Sequence, residues 1–183
     1  MNIQNDDGSA SAIYESFLRG NMDAFETIVV TYRKSLMLFI NRYVDDFDTA
    51  EDLAEDVFVL LLTKKPRYKG NASFKTWLFT MGRNLSIDYI RKHRRVFPMV
   101  DIIKSETENA EISFFLNERK RIVYSALENL PDEEKLLMHL LYIEDMGYEQ
   151  AEKVLKLSRN KLYSIARRAK ERLKTEFEKE GVV

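Results

Sequence analysis

The stretch from Tyr68 to Arg95 carries the densest chemistry in the chain. Tyr68, Phe74 and Trp77 lie among Lys69, Lys75, Arg83 and the run Arg91-Lys92-His93-Arg94-Arg95. Cations spaced along a surface hold a phosphate backbone, and aromatic rings offer stacking platforms for unpaired bases. Asn84 and Asp88 are short polar side chains able to reach base edges or to orient nearby arginines. With Arg91 and Arg95 they form one polar stripe at helical spacing. Phe74 reads first as packing, since most helical aromatics belong to a core.

Charge is sorted along the chain in a way that the net value of −1 hides. From Lys64 to Arg95 ten cationic residues stand against one acid, Asp88. Lys156 to Lys174 holds eight against one, Glu171. Between Asp45 and Asp56 the balance reverses, with seven acids and no cation. Such sorting implies two surfaces for polyanions and one for a basic partner. The plainer reading of each cluster is a solvated helix face.

The composition excludes several classes of function. There is no cysteine, so disulfides, thiolate metal sites and cysteine nucleophiles fall away together. None of the six glycines forms a phosphate-binding loop. The two histidines, His93 and His139, stand apart, and no metal-ligand spacing occurs. No catalytic residue, metal or cofactor is therefore expected. The longest apolar run, Val57 to Leu62, falls far short of the roughly 20 residues of a membrane span. The first residues lack the basic flank and apolar stretch of a signal peptide. Together these place the protein in the cytoplasm.

The 183 residues, 45% of them hydrophobic, suffice for one ordinary domain or two small ones. With only 6 glycines and 3 prolines the prior is all-α. A short helix spans Ser9 to Arg19, and Gly20-Asn21 breaks it, with Asn21 capping the next. That second helix places Met22, Phe25, Val29, Tyr32, Leu36, Ile40 and Tyr43 on one buried stripe. A third begins at Asp48, with Glu51 completing a capping-box pattern. It buries Leu53, Val57, Leu60 and Leu61 and sets Asp48, Glu51, Asp52, Glu55 and Asp56 on the opposite face. Pro66 ends it. A loop to Ser73 leads into a fourth helix, Phe74 to Arg94, with Leu78, Met81, Leu85 and Tyr89 inward.

Periodicity fails from Val96 to Ala110, the best linker candidate. Extended, it would reach roughly 50 Å at about 3.3 Å per residue, more than one duplex turn of about 34 Å. Helices then run from about Glu111 to Asn129, Asp132 to Glu144, Tyr148 to Leu155 and Arg159 to Glu178. Leu136, Leu137, Leu140 and Leu141 supply the core of the second, Leu162, Ala166, Ala169 and Leu173 that of the last.

The string Phe74-Lys75-Thr76-Trp77-Leu78-Phe79, then Arg83-Asn84, Asp88 and Arg91-Lys92, resembles the −10-binding segment of extracytoplasmic-function (ECF) sigma factors of the sigma-70 family. Ala50-Glu51-Asp52-Leu53 through Val57-Phe58 is similar to that family's polymerase-binding helix, with Glu55 where glutamine is usual. The resemblance spans about residues 12 to 177. It implies two small helical domains joined by a flexible linker: residues 9–95 as sigma region 2, 96–110 as linker, and 111–178 as a region 4 helix-turn-helix. It further implies that Asp52, Glu55 and Asp56 dock on the clamp helices of the largest polymerase subunit. Lys69, Asn71 and Ser73 become candidates to capture a flipped base. Trp77, Asn84, Asp88, Arg91, Lys92 and Arg95 complete the −10 set.

Leu127 to Pro131 resembles the lead-in to the family's −35-binding helix-turn-helix. In that motif Glu152 stands where a small alanine is usual between the helices, and Lys156 where the tight turn has glycine. Asn160-Lys161 replaces Gly-Thr, and Ile165 replaces an arginine. Lys161, Tyr163, Ser164, Arg167 and Arg168 are the recognition-helix candidates. The implied partners are core RNA polymerase, promoter DNA and an anti-sigma factor, with no membrane insertion and no catalysis. A stand-alone helix-turn-helix regulator would explain only the second half. A sigma-like adaptor with weakened −35 recognition is the other alternative.

Overall fold

The computed structural model describes residues 7–93 and 118–179. The expected linker, Arg94, Arg95 and the expected helix start at Glu111 lie outside them. All described elements are helical, with no strand among the described residues. The chain divides into two compact units, Met1–Ile102 and Ile103–Val183.

In the first unit the helices are α1 (Asp7–Leu18), α2 (Met22–Val44), α3 (Phe47–Lys64) and α4 (Phe74–His93). Asn21 caps α2 as its sequence suggests, accepting from the backbone N–H of Asp23 at 3.0 Å and of Ala24 at 3.3 Å. The cap of α3 is Asp46, not Asp48: its carboxylate accepts from the Thr49 N–H at 2.8 Å. Asp45 ends α2 in the left-handed region, φ +53°, so the chain reverses within two residues and Asp46 takes the capping position. Phe47, already helical, is then buried.

Large apolar side chains fill the inner face of α4 at its start, and small ones take it over at Gly82 and Ser86. Phe74, Leu78, Phe79, Gly82 and Ser86 are buried, whereas the expected Met81, Leu85 and Tyr89 are only half-buried. A Cβ built on Gly82 would stand 2.8 Å from Leu36 Cδ1 and 3.3 Å from Ile40 Cδ1. The missing side chain is what lets α4 lie against α2. Ser86 Oγ satisfies itself on the Gly82 carbonyl at 2.8 Å. The α2 stripe also differs. Tyr32, Leu36 and Ile40 are buried, but Met22 is 54% exposed, while Ile28 and Met37 to Phe39 join the core. In α3, Leu60 is half-buried and Ala50, Ala54 and Phe58 take part in its place.

The second unit contains α5 (Glu118–Leu127), α6 (Asp132–Met138), a wider π-helical turn (His139–Ile143), α7 (Tyr148–Leu155) and α8 (Arg159–Lys179). Pro131 precedes α6, and Asp132, Glu133 and Glu134 occupy its first turn, where the helix dipole favours anions. The π turn is marked by Glu144 N–H bonding the His139 carbonyl at 3.1 Å. Leu137 and Met138 just before it, His139 and Leu140 within it are buried in succession, and Leu136 and Leu141 are half-buried. His139 is fully buried, its Nε2 3.4 Å from Glu144 Oε1.

Ala151, Val154 and Leu155 of α7 and Leu162, Ile165, Ala166 and Ala169 of α8 are buried where these helices meet the rest of the unit, and Leu173 is half-buried. Lys156, Leu157 and Ser158 form the whole connection. Lys156 sits at φ +56°, ψ +40°, its N–H closing α7 on the Glu152 carbonyl at 2.9 Å. A side chain there is strained by about 1–2 kcal/mol relative to glycine. Glu152 lies half-buried at the edge of this packing and pairs with Arg159 Nε at 3.3 Å. Lys156→Gly should therefore stabilise the protein by about 0.5–1 kcal/mol. Thermal unfolding should show a midpoint raised by roughly 1–4 °C; a lowered midpoint would contradict strain at this turn.

Candidate nucleic-acid and protein interfaces

On α3 the acids form two rows. Asp48, Asp52 and Asp56 recur every four residues and are exposed. Glu51 and Glu55 lie toward α2, where one guanidinium answers both: Arg33 Nη2 stands 2.5 Å from Glu51 Oε1 and 3.1 Å from Glu55 Oε1. Of the expected contact residues, Asp52 and Asp56 thus remain on the open row, while Glu55 is exposed but engaged with Arg33. Sequence reading missed Arg33, because a contact across 18 and 22 residues leaves no local pattern.

The loop between α3 and α4 is held from inside by two phenols. Tyr14, fully buried on α1, donates to the Pro66 carbonyl at 2.7 Å. Tyr68 donates to the Ala72 carbonyl, and Ser11 Oγ approaches its hydroxyl at 3.5 Å. The rings of Tyr14, Tyr68, Phe74 and Trp77 stack edge or tilted, with centroids 5.3 to 5.9 Å apart. Trp77 is half-buried in that cluster, and Phe74 is wholly inside it. Lys69 and Asn71 are exposed at the loop tip, where Gly70 supplies φ +70°. Ser73 is buried and caps α4, its Oγ accepting the Thr76 N–H at 3.0 Å.

Along α4, Asn84 Oδ1 receives Arg83 Nη1 at 3.3 Å, and Asp88 Oδ1 pairs with Arg91 Nη2 at 2.8 Å. Both polar residues therefore orient arginines. Arg83 also bonds the Tyr43 phenol, whose pKa burial pushes upward while Arg83 pulls the other way. Lys92 is exposed; Arg95 falls outside the described residues. Lys75, by contrast, is buried, with Nζ 5.4 Å from the Phe79 ring centroid.

In the second unit Lys161, Tyr163, Ser164, Arg167 and Arg168 are all exposed on α8. Tyr163 stacks on Tyr148, ring centroids 4.6 Å apart. Arg167 is three-quarters exposed, its Nε 4.0 Å from Glu171. Lys161 and Arg168 both reach Glu133 at the start of α6, and Arg168 and Arg172 reach the buried Glu134. Among the described residues, no group of His, Asp and Glu is placed to hold a metal ion. No described helix is long and apolar enough to cross a membrane.

A family model for sigma-70 region 2 matches residues 28–96, within the first unit. The ECF RNA polymerase sigma factor SigM of Bacillus subtilis is 29% identical over 151 residues, covering 81% of this chain and 92% of that protein. The ECF RNA polymerase sigma-E factor of Haemophilus influenzae is 25% identical over 156 residues, covering 79% and 82%. Among solved structures, CnrH in complex with the cytosolic domain of CnrY is similar in fold, with a TM-score of 0.64 at 20% identity, covering 91% of this chain and 96% of that one. The sigma factor RpoE of Bartonella quintana, in complex with the anti-sigma factor NepR, gives 0.60 at 20% identity, covering 82% and 94%.

The Tyr14 phenol makes the loop's anchoring testable. Burial raises its pKa from 10.0 to about 12, so the fold favours the neutral form. Its contribution is complete below about pH 10 and is lost as pH climbs toward about 12. In Tyr14→Phe, stability measured by denaturant unfolding should fall less steeply across that window. At neutral pH the variant should lose about 1 kcal/mol with the Pro66 bond. Parallel curves for variant and parent would refute burial of the phenol, and unchanged stability at neutral pH would refute the anchoring bond.

Proposed function

We propose a division of labour for a chain that belongs to the ECF sigma factors of the sigma-70 family: α3 grips RNA polymerase, the loop and α4 take the opened −10 element, and α8 reads −35 duplex. That the protein is an RNA polymerase sigma factor follows from its relatives and from the region 2 match. The assignment of surfaces rests on one observation above all. Within the matched segment an exposed acidic row on α3 is followed directly by a pinned loop and a cation-bearing helix.

The chemistry of each surface suits its assigned partner. Asp52 and Asp56, exposed four residues apart, offer carboxylates to a basic helix surface, which we identify with the clamp helices of the largest polymerase subunit. Glu55 adds to that field with part of its charge already answered by Arg33. Extruding a base from duplex costs a few kcal/mol. A loop whose shape is set by Tyr14 and Tyr68 can receive that base without first ordering itself. Lys69 and Asn71 at its tip, with Trp77 beside it, are the candidate contacts, and Ser73 sets the start of α4. Arg83, Arg91 and Lys92 track phosphates, with Asn84 and Asp88 as their orienters. No step needs a hydrolysed nucleotide or a catalytic group, and we place the work in the cytoplasm.

In the second unit the reading supposes that residues 111–178 act as region 4, with Arg167, Tyr163 and Ser164 toward the groove. The decisive experiment is runoff transcription with purified core polymerase over a genomic promoter library. Failure to initiate from any promoter would end this reading.

Two substitutions test the surfaces separately. Asp52→Lys combined with Asp56→Lys should weaken binding to core polymerase at least ten-fold, about 1.4 kcal/mol or more. Circular dichroism should stay as in the parent, and unchanged affinity would remove the docking face. Arg167→Ala should lower affinity for promoter duplex and flatten the salt dependence by about 0.9 in log–log slope. Equal slopes, measured by anisotropy across a salt series, would rule out a phosphate contact.

A further inference from the structure

Glu133 stands where α6 begins and α8 passes. Its two carboxylate oxygens each take one cation: Oε1 lies 2.5 Å from Lys161 Nζ, and Oε2 lies 3.4 Å from Arg168 Nη2. Both cations are on one side of α8, seven residues apart, and all three side chains are about half exposed. The neighbouring pair has another character. Glu134 is buried, and holds Arg168 Nε at 3.4 Å and Arg172 Nε at 3.2 Å. Glu134 therefore fastens α8 to α6 and would go on doing so without Glu133.

We propose that Glu133 is an internal counter-anion that occupies Lys161 and Arg168 and so lowers the affinity of α8 for duplex DNA. This rests on the reading that α8 faces duplex. A phosphate approaching Lys161 meets an ammonium already paired and, beside it, a carboxylate of its own sign. Two effects then act together. Counterion release on binding is reduced, because a cation neutralised from within displaces fewer ions from the DNA. The approaching backbone is also repelled, since Glu133 lies well within a Debye length of about 8 Å from any phosphate on Lys161. Both penalties attach to backbone contact, which is the same at every sequence. A contact to a base edge from Tyr163, which helical spacing sets on the far side of α8 from Lys161 and Arg168, is spared. Glu133 is thus placed to restrain sequence-independent binding more than sequence-specific binding.

The test is Glu133→Gln in the full chain, titrated by anisotropy against a labelled mixed-sequence duplex over a KCl series. Affinity at low salt should rise roughly three- to ten-fold, and the log–log salt slope should steepen by about 0.9 for each cation released, up to about two cations. The gain on a promoter duplex should be smaller. Adding Lys161→Ala to Glu133→Gln should cancel roughly half of the steepening. Glu149→Gln removes the same charge from a carboxylate paired with Lys153 on α7 and controls for the general field. It should change affinity less than about two-fold, as for an ordinary exposed pair.

The outcomes separate cleanly. If Arg167→Ala weakens binding but Glu133→Gln does not tighten it, or Glu149→Gln tightens it equally, the counter-anion role is overturned and the duplex-facing reading stands. If neither Arg167→Ala nor Glu133→Gln alters duplex binding, both fall. Should Glu133→Gln lower the melting temperature, the slope measured below that temperature still decides, because a partly unfolded recognition helix cannot bind more tightly with a steeper salt response.

Discussion

Like charges on one helix face repel, and both units of this chain gather them. In each unit a packed neighbouring helix answers part of that charge with side chains of opposite sign. Arg33 of α2 takes Glu51 and Glu55 of the acidic helix. Glu133 of α6 takes Lys161 and Arg168 of the basic one. Exposed pairs of this kind stabilise by only about 0–1 kcal/mol each. Their larger effect is on the surface left over. On α3 an outer row of aspartates stays open while the inner glutamates are answered, so the repulsion falls without the face losing its sign.

What keeps these counterions in register is ordinary packing. The two-residue reversal at Asp45 and Asp46 folds α3 back along α2 and brings Arg33 beside residues 51 and 55. The absent side chain of Gly82 seats α4 on α2, against Leu36 and Ile40. In the second unit the buried Glu134 ties Arg168 and Arg172, and the α7–α8 turn accepts a strained lysine where glycine would be relaxed. The charged faces are thus carried by helices whose spacing is set elsewhere, by a small residue, by caps and by a buried carboxylate.

The succession of helices was legible because its punctuation is local. Asn21, Pro66 and Pro131 act on backbone groups within a few residues, and the positive φ at Lys156 could be expected from a turn that usually holds glycine. The face of α4 was not legible. Hydropathy ranks Met81 and Leu85 above Gly82 and Ser86, but the gap beside α2 ranks residues by volume. Asp48 and Glu51 have the more familiar capping spacing, so nothing local marks Asp46 as the cap. Arg33 and Tyr14 act on partners far along the chain, so no window of sequence contains them. Nor does the leucine-rich run around His139 announce that its helix widens there.

The phenol of Tyr68, bonded to the Ala72 carbonyl across its own loop, bears on the thermodynamics of any contact made there. A segment that must stiffen on meeting its partner surrenders conformational freedom, and that entropy is subtracted from the affinity. Here part of that ordering is already made within the chain, by the Tyr68 and Tyr14 bonds and the ring contacts around them. Substitutions at the exposed Lys69 or Asn71 therefore leave the hydrogen bond and ring contacts that frame the loop in place.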